Sequence, residues 1–100
     1  SSVFFSSVAS YVPVSSEFIF PGSNIRRLTE SEIEYLSLEE LSLARNEIFA
    51  RHGRIFKTDA LQYYFEGKSW YNPDPYYDDN LSNIETYNVN LIKKREEFLK

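Results

Sequence analysis

The sequence predicts a small, mainly α-helical domain of about four helices with a short extended segment at its N-terminal side. Capping boxes, in which a Ser or Thr is followed three residues later by Glu, occur at residues 29–32, 37–40 and 82–85, and each is typical of a helix N-terminus. Apolar residues then recur at intervals of three and four, the period of one helix face. Because the chain has 100 residues and no cysteine, we expect a single core that folds without disulfides.

The first 16 residues differ in composition from the rest, with seven Ser and no charged residue. Such a stretch is typical of a linker, but its Val, Phe and Tyr side chains would promote aggregation if they were exposed to water. We therefore expect either a linker or an arm that docks on the domain or on a neighbour at residues 1–16, followed by a helical domain at 17–100. Residues 17–20, EFIF, predict a short extended segment that enters a turn at 21–24.

The first two capping boxes predict a short helix over residues 30–36 and a main helix over residues 38–52. The main helix carries one apolar stripe at helical spacing, formed by Leu38, Leu41, Ala44 and Ile48. Gly53 is expected just beyond its end, in the left-handed conformation that stops a helix. Glu47 precedes Arg51 by four residues, which predicts an ion pair on the exposed side of the helix.

Two further helices are predicted over residues 58–66 and 83–99, with a loop rich in Pro, Asn and Asp at 68–81 between them. The third helix stops at Gly67. The last helix has a stripe at helical spacing that we expect to face the core, formed by Ile84, Tyr87, Leu91, the stem of Arg95 and Phe98.

Charge and composition exclude several function classes. The net charge is −4, whereas a nucleic-acid-binding domain usually shows a basic patch and a high pI. No stretch approaches the roughly 18–20 apolar residues that span a bilayer, so we expect no membrane insertion by this domain. With no cysteine and one histidine, a metal site would need mainly carboxylates, and we expect neither a metal nor a cofactor.

Four cationic residues cluster in and after the main helix, at Arg45, Arg51, His52 and Arg54. Cations near a helix C-terminus complement the negative end of its dipole, which gives the last three a structural explanation. The alternative is a site for an anion or a glycan, with the arginines and the histidine as donors. No motif for a nucleophile or for a positioned acid accompanies His52, so we expect no enzymatic activity.

An aromatic-rich loop is the second candidate contact surface. Its aromatic residues are Trp70, Tyr71, Tyr76 and Tyr77. Exposed aromatic clusters mark interaction sites, and these rings are candidates for stacking on sugars or binding a partner protein. The alternative is that some of them are core residues, with Trp70 as the packing anchor.

The pentapeptide FARHG ends the main helix, after LARNEI, and paired aromatic residues follow at Tyr64-Phe65 and Trp70-Tyr71. This pattern resembles the YARHG domain family of bacterial extracellular and cell-envelope proteins, over about residues 18–97. Phe49 stands where the family name has Tyr, so a phenol oxygen has no role at that position. The resemblance implies a small, mostly helical extracellular domain, and it brings no catalytic residues.

Together these observations predict a non-catalytic extracellular binding module that forms part of a longer, membrane-anchored or secreted envelope protein. Its ligand would be a cell-wall glycan or another surface protein. The four cationic residues and the four aromatic residues named above would form the contact surface. The alternative is a structural spacer or dimerisation module that binds no small ligand.

Overall fold

A computed structural model describes residues 17–100 and contains four helices in them. They are α1 (Glu30–Ile33), α2 (Leu38–Ala50), α3 (Asp59–Glu66) and α4 (Asn83–Leu99). Residues 17–100 contain no strand, so the predicted mainly α-helical class is confirmed. The Ser-rich residues 1–16 lie outside the described part of the chain, and their role as an arm or linker stays a prediction.

The three predicted capping boxes begin the helices as expected. In the box of α2, the Ser37 hydroxyl accepts the N–H of Glu40 at 3.1 Å, and the Glu40 carboxylate accepts the N–H of Ser37 at 2.9 Å. Ser82 and Glu85 repeat this geometry at α4. The N–H groups of a first helical turn lack intrahelical acceptors, and the boxes supply them. These local signals therefore set where the helices begin.

The larger core, here called the aliphatic cluster, lies mainly between α2 and α4. Its buried members are Leu28, Ile33, Leu41, Ala44, Ile48 and Ile92. The stripe predicted for α2 is confirmed at its three inner positions, whereas Leu38 lies at the exposed edge. A continuous apolar stripe on one helix face is what packing against a second helix requires.

The stripe predicted for α4 is wrong by one position. The buried residues of this helix are Glu85, Asn88, Ile92 and Glu96, one residue beyond most of the predicted positions. Phe98, which was expected in the core, is 74% exposed. Three of the four buried residues are polar, so a search for apolar periodicity selects the neighbouring face of the helix.

The smaller core, here called the aromatic cluster, joins α3 to the segments that follow α2 and α3. Its buried members are Ala50, Phe56 and Phe65, and partly buried Leu61, Tyr64, Trp70 and Tyr71 pack against them. The rings of Phe56 and Phe65 stack with centroids 5.1 Å apart. Large rings let a short helix and a loop bury enough apolar surface to be held in place.

The segment at residues 17–28 is a series of turns and bends without strand pairing. Turns within the segment supply some of its backbone hydrogen bonds, and buried side chains of the helices supply others. The Glu47 carboxylate accepts the N–H groups of Ile19 at 2.8 Å and Phe20 at 3.1 Å. Because Glu47 is fully buried, the prediction of an exposed Glu47–Arg51 ion pair is wrong. Periodicity placed Glu47 off the apolar stripe but could not show that another segment covers it.

Asn88 holds the next part of the same segment. Its side-chain oxygen accepts the N–H of Leu28 at 2.8 Å, and its amide group donates to the carbonyls of Ser23 at 2.8 Å and Arg26 at 2.9 Å. A fully buried amide is tolerated because its donors and acceptor are satisfied. The segment is therefore ordered by polar contacts with α2 and α4.

Candidate functional site

The Arg-His-Gly turn after α2 closes the helix with a Schellman pattern. The N–H of Gly53 donates to the carbonyl of Ala50 at 2.9 Å, and the N–H of Arg54 reaches the carbonyl of Phe49 at 3.4 Å. Gly53 has φ of 96°, the left-handed conformation that this motif places after the helix. The predicted role of Gly53 is confirmed.

The same glycine also lets the aromatic loop come close. The Gly53 carbonyl accepts the N–H of Asp74 at 2.8 Å. A Cβ at residue 53 would lie 2.8 Å from the Cβ of Asp74 and 3.0 Å from the carbonyl oxygen of Asn72. Side chains do not pack at such distances, so the loop and the turn can touch only where residue 53 has no side chain.

His52 lies in this turn and pairs with α4. Its Nε2 atom is 2.7 Å from the Oε2 atom of Glu85. Glu85 is buried, whereas the His52 side chain is 36% exposed. Burial alone would raise the pKa of Glu85, but the N–H of Ser82 and the imidazole outweigh it, so the pKa lies below its ordinary value. The imidazole completes an ion pair only when it is protonated.

Arg45 forms a second link between α2 and α4, away from the turn. Its Nε atom lies 2.5 Å from the Oε1 atom of Glu96, which is buried. His52 pairs near the beginning of α4 and Arg45 near its end, so the two helices run antiparallel. Arg45 is about two helical turns from His52. The structure therefore separates Arg45 from the other predicted site residues.

Arg51 and Arg54 both contact aromatic rings. The Arg51 guanidinium lies 4.3 Å from the centroid of Phe18, and its Nη1 donates to the Pro21 carbonyl at 3.1 Å. The Arg54 guanidinium lies 5.0 Å from the ring of Phe49. Both are partly exposed, and their planar groups stack as arginine commonly does on aromatic faces.

Trp70 and Tyr71 belong to the aromatic cluster. Trp70 stacks on Phe18 with centroids 4.8 Å apart, and its indole N–H donates to the Glu17 carbonyl at 2.7 Å. The Tyr71 hydroxyl donates to the Arg54 carbonyl at 2.6 Å. Both side chains are partly buried. These contacts match the packing-anchor interpretation of Trp70, and a direct role for either residue in binding stays a prediction.

Tyr76 and Tyr77 lie at the outer part of the loop. The Tyr76 side chain is 90% exposed. Tyr77 is partly buried and its hydroxyl donates to Asp79 at 2.7 Å. Burial, together with this hydrogen bond and the charge of Asp79, raises the pKa of Tyr77, so it stays neutral at ordinary pH. Tyr76 thus offers a free ring, while Tyr77 is held in place beside it.

The structure brings most of the predicted contact residues together at one end of α2. They are Arg51, His52, Arg54, Trp70, Tyr71, Tyr76 and Tyr77. Sequence reasoning missed the carboxylates that pair with His52 and Arg45, which are Glu85 and Glu96. The available signal was spacing, because these two glutamates are eleven residues apart, close to three turns of one helix face. Residues 17–100 contain no group of three or more His, Cys, Asp or Glu side chains arranged to hold a metal ion.

The fold and the site define a class: a small helical domain in which α2 ends in an Arg-His-Gly turn covered by an aromatic loop. A comparison with family models matches residues 16–97 to the YARHG domain. The chain belongs to the YARHG domain family, a family of extracellular and periplasmic domains. Within the described residues, no helix combines the length and apolar character needed to cross a membrane.

A solved structure also resembles the chain. It is the crystal structure of a Legionella pneumophila protein described as a candidate nutrient-binding protein. The match has a TM-score of 0.60 at 38% identity and covers 64% of this chain. The chain spans only 20% of the length of that protein. No curated protein matches the chain.

Proposed function

We propose that the chain is a non-catalytic binding module of a bacterial envelope protein, acts outside the cytoplasm, and recognises a cell-wall glycan. The observation that carries the proposal is the exposed Tyr76 ring, presented next to the Arg-His-Gly turn by a loop fixed through the Gly53–Asp74 hydrogen bond. A rigidly supported, exposed aromatic ring is the kind of surface that binding sites use.

The contact surface in this proposal is smaller than the one predicted from the sequence. It centres on Tyr76 and includes Tyr77 from the same loop and Arg54 and His52 from the turn to which that loop is hydrogen-bonded. Arg45 is left out because it pairs with Glu96 about two helical turns away from His52. Trp70 and Tyr71 support the loop from below through their contacts in the aromatic cluster.

The comparisons support a binding role of this kind. The family consists of domains found outside the cytoplasm, where wall glycans are accessible. The similar Legionella protein is described as binding a nutrient, and this domain corresponds to a fifth of it. The proposal also makes the chain one part of a longer protein that is membrane-anchored or secreted.

The test is co-sedimentation of the 100-residue chain with purified, insoluble cell-wall glycan. We expect Tyr76→Ala to weaken binding about tenfold, the size of a truncated aromatic anchor. Tyr35→Ala is the matched control, because Tyr35 is similarly exposed but lies three residues before the start of α2, at its opposite end. Equal binding of Tyr76→Ala and the unchanged chain would refute the proposal. Binding to a surface protein without binding to glycan would show that the ligand is not a glycan.

A spacer or dimerisation module is the second candidate function. It is favoured by the internal contacts of the cationic cluster: Arg45, Arg51, His52 and Arg54 all contact groups of their own chain. Sedimentation equilibrium of the full chain over a concentration series tests it. A self-association that Tyr76→Ala leaves unchanged, without glycan binding, would favour this function, and a monomer at all concentrations would exclude the dimer.

A further inference from the structure

A cavity of about 190 Å³ lies between α1 and the C-terminal half of α4. Its apolar surface comes from Ile33, Leu91 and Phe98. An engineered, wholly apolar cavity of about 150 Å³ holds one benzene molecule, so this cavity has room for one ring-sized group. It lies at the opposite end of α4 from the His52–Glu85 pair, and it is therefore separate from the surface in the proposed function.

The walls of the cavity carry opposite charges. Lys94 and Arg95 line it from α4, and Glu30 and Glu34 line it from the side of α1. Glu30 and Glu34 are four residues apart, so both side chains lie on one side of that turn. Neither Glu30 nor Glu34 takes part in an ion pair within residues 17–100. An apolar floor thus lies between a cationic wall and an anionic wall.

One donor beside this cavity has no partner among the described residues. The Nε–H group of Arg95 is buried, and no group in residues 17–100 accepts its hydrogen bond. The rest of the guanidinium is engaged: Nη2 reaches the Glu34 carbonyl at 3.3 Å, and the carbon atom lies 4.9 Å from the Phe98 ring centroid. A carboxylate in the cavity would pair with the charge of this guanidinium, because Arg95 lines the cavity.

From these observations we propose that the cavity binds a free α-amino acid with an apolar side chain. The ligand carboxylate accepts a hydrogen bond from Arg95, the ammonium group faces Glu30 and Glu34, and the side chain contacts Ile33 and Phe98. A zwitterion fits because the two charged walls are complementary to its two groups. A simple carboxylate would leave the acidic wall unpaired, and a simple amine would leave the charge of Arg95 unpaired.

The test is a nuclear magnetic resonance titration of the 100-residue chain with three probes that share one ring: phenylalanine, 3-phenylpropionate and phenethylamine. We expect phenylalanine to bind with a dissociation constant on the order of 1 mM, as suits so small a ligand. The two probes that lack one charge should bind about tenfold more weakly. Shifts should be confined to residues of α1 and of the C-terminal half of α4.

Matched variants identify the residues responsible. Arg95→Met should weaken phenylalanine binding about tenfold, whereas Lys93→Met removes the same charge from a neighbouring residue that does not line the cavity and should change little. Phe98→Ala should also weaken binding, with Leu99→Ala as its control. Because Phe98 is largely exposed, its variant should keep the fold, which circular dichroism will verify.

Three results would overturn the proposal. They are the lack of saturable shifts with phenylalanine, equal affinity for either single-charge probe, and equal weakening by Arg95→Met and Lys93→Met. None of these results bears on glycan binding through Tyr76, so the two proposals can fail independently.

Discussion

In the aliphatic cluster, the groups that need hydrogen-bond partners belong to the backbone of residues 19–28, and buried side chains of α2 and α4 supply those partners. In the aromatic cluster the roles are reversed. There the side chains of Trp70 and Tyr71 carry the polar groups, and backbone carbonyls accept from them. One cluster thus uses polar side chains to order a non-helical segment, while the other uses segments of backbone to fix the orientation of its rings.

This difference has an energetic consequence. Removing the buried amide of Asn88, beside the aliphatic cluster, leaves three backbone groups without partners, and each such group costs free energy. Removing the polar tip of a ring from the aromatic cluster leaves one carbonyl without a donor, and the apolar contacts of the ring persist. The two clusters should therefore respond very differently to substitutions that remove hydrogen bonds.

The largest loss of stability is expected for Asn88→Leu. Leucine has a similar size but leaves the Leu28 N–H and the carbonyls of Ser23 and Arg26 unsatisfied. We expect a loss of about 3–4 kcal/mol in the free energy of unfolding, measured by urea denaturation. Asn90→Leu on the exposed side of the same helix is the control and should change stability little. A loss below about 1 kcal/mol would show that Asn88 does not order the segment.

The sequence predicted the helices of this fold well, because capping boxes and glycine stops are local signals that act within a few residues. It did not predict the buried face of α4. Polar residues such as Glu85, Asn88 and Glu96 are normally predicted at the surface. Their partners lie far away in the sequence: His52 is 33 positions from Glu85, Leu28 is 60 from Asn88, and Arg45 is 51 from Glu96. Polar pairs between residues distant in the sequence produce no hydrophobic periodicity, so a single sequence does not reveal them.

The next largest effect is expected for Gly53→Ala, at the turn where the two clusters meet. The left-handed conformation alone costs a residue with a Cβ about 1–2 kcal/mol, and the contact with Asp74 adds to it. We therefore expect a loss of about 2–3 kcal/mol in the free energy of unfolding. Amide exchange at Asp74 should also become faster, because its hydrogen bond to residue 53 is weakened.

Gly67→Ala is the matched control for this substitution. Gly67 has φ of −77°, and a Cβ there would make only an ordinary contact, 3.5 Å from the Tyr64 carbonyl oxygen. Alanine at such a position should be neutral or stabilise by a few tenths of a kcal/mol. If both variants lose the same stability, the requirement for glycine at residue 53 is not specific to its conformation.

The candidate site was predicted in part. Spacing placed Arg51, His52 and Arg54 at a helix end, and the structure confirms that position. Sequence alone could not decide which rings face solvent, since Trp70 and Tyr76 occur in the same polar, proline-rich stretch. Their difference arises from tertiary contacts: Phe18 and the Glu17 carbonyl cover Trp70, and no residue in the described part of the chain covers Tyr76 comparably.

A smaller effect is expected for Trp70→Phe in the aromatic cluster. Phenylalanine keeps a ring for stacking on Phe18 but removes the donor to the Glu17 carbonyl. We expect a loss of about 1–2 kcal/mol in the free energy of unfolding. Unfolding is followed by circular dichroism, because Trp70 is the only tryptophan and its replacement removes the tryptophan fluorescence signal. Tyr63→Phe, on an exposed ring, should be neutral. A loss as large as that of Asn88→Leu would contradict the proposed difference between the two clusters.

The smallest effect is expected for Glu85→Gln, and it should depend on pH. Glutamine can still close the capping box with Ser82, so mainly the negative charge facing His52 is removed. The folded pKa of Glu85 lies below its ordinary value. Its contribution to stability is therefore complete above the unfolded pKa, about 4.3 for a glutamate, and is lost as the pH falls through the folded pKa.

The native chain should consequently exceed Glu85→Gln in stability by about 1 kcal/mol or less at pH 7, and the gap should close below about pH 4. Urea denaturation at a series of pH values measures this gap, with Glu39→Gln as the control in the first turn of α2. Glu47 should give the opposite sign, because burial raises its pKa and its ionisation costs stability as the pH rises. A gap for Glu85→Gln that stays unchanged as the pH falls below about 4 would mean that the Glu85 carboxylate does not stabilise the folded chain.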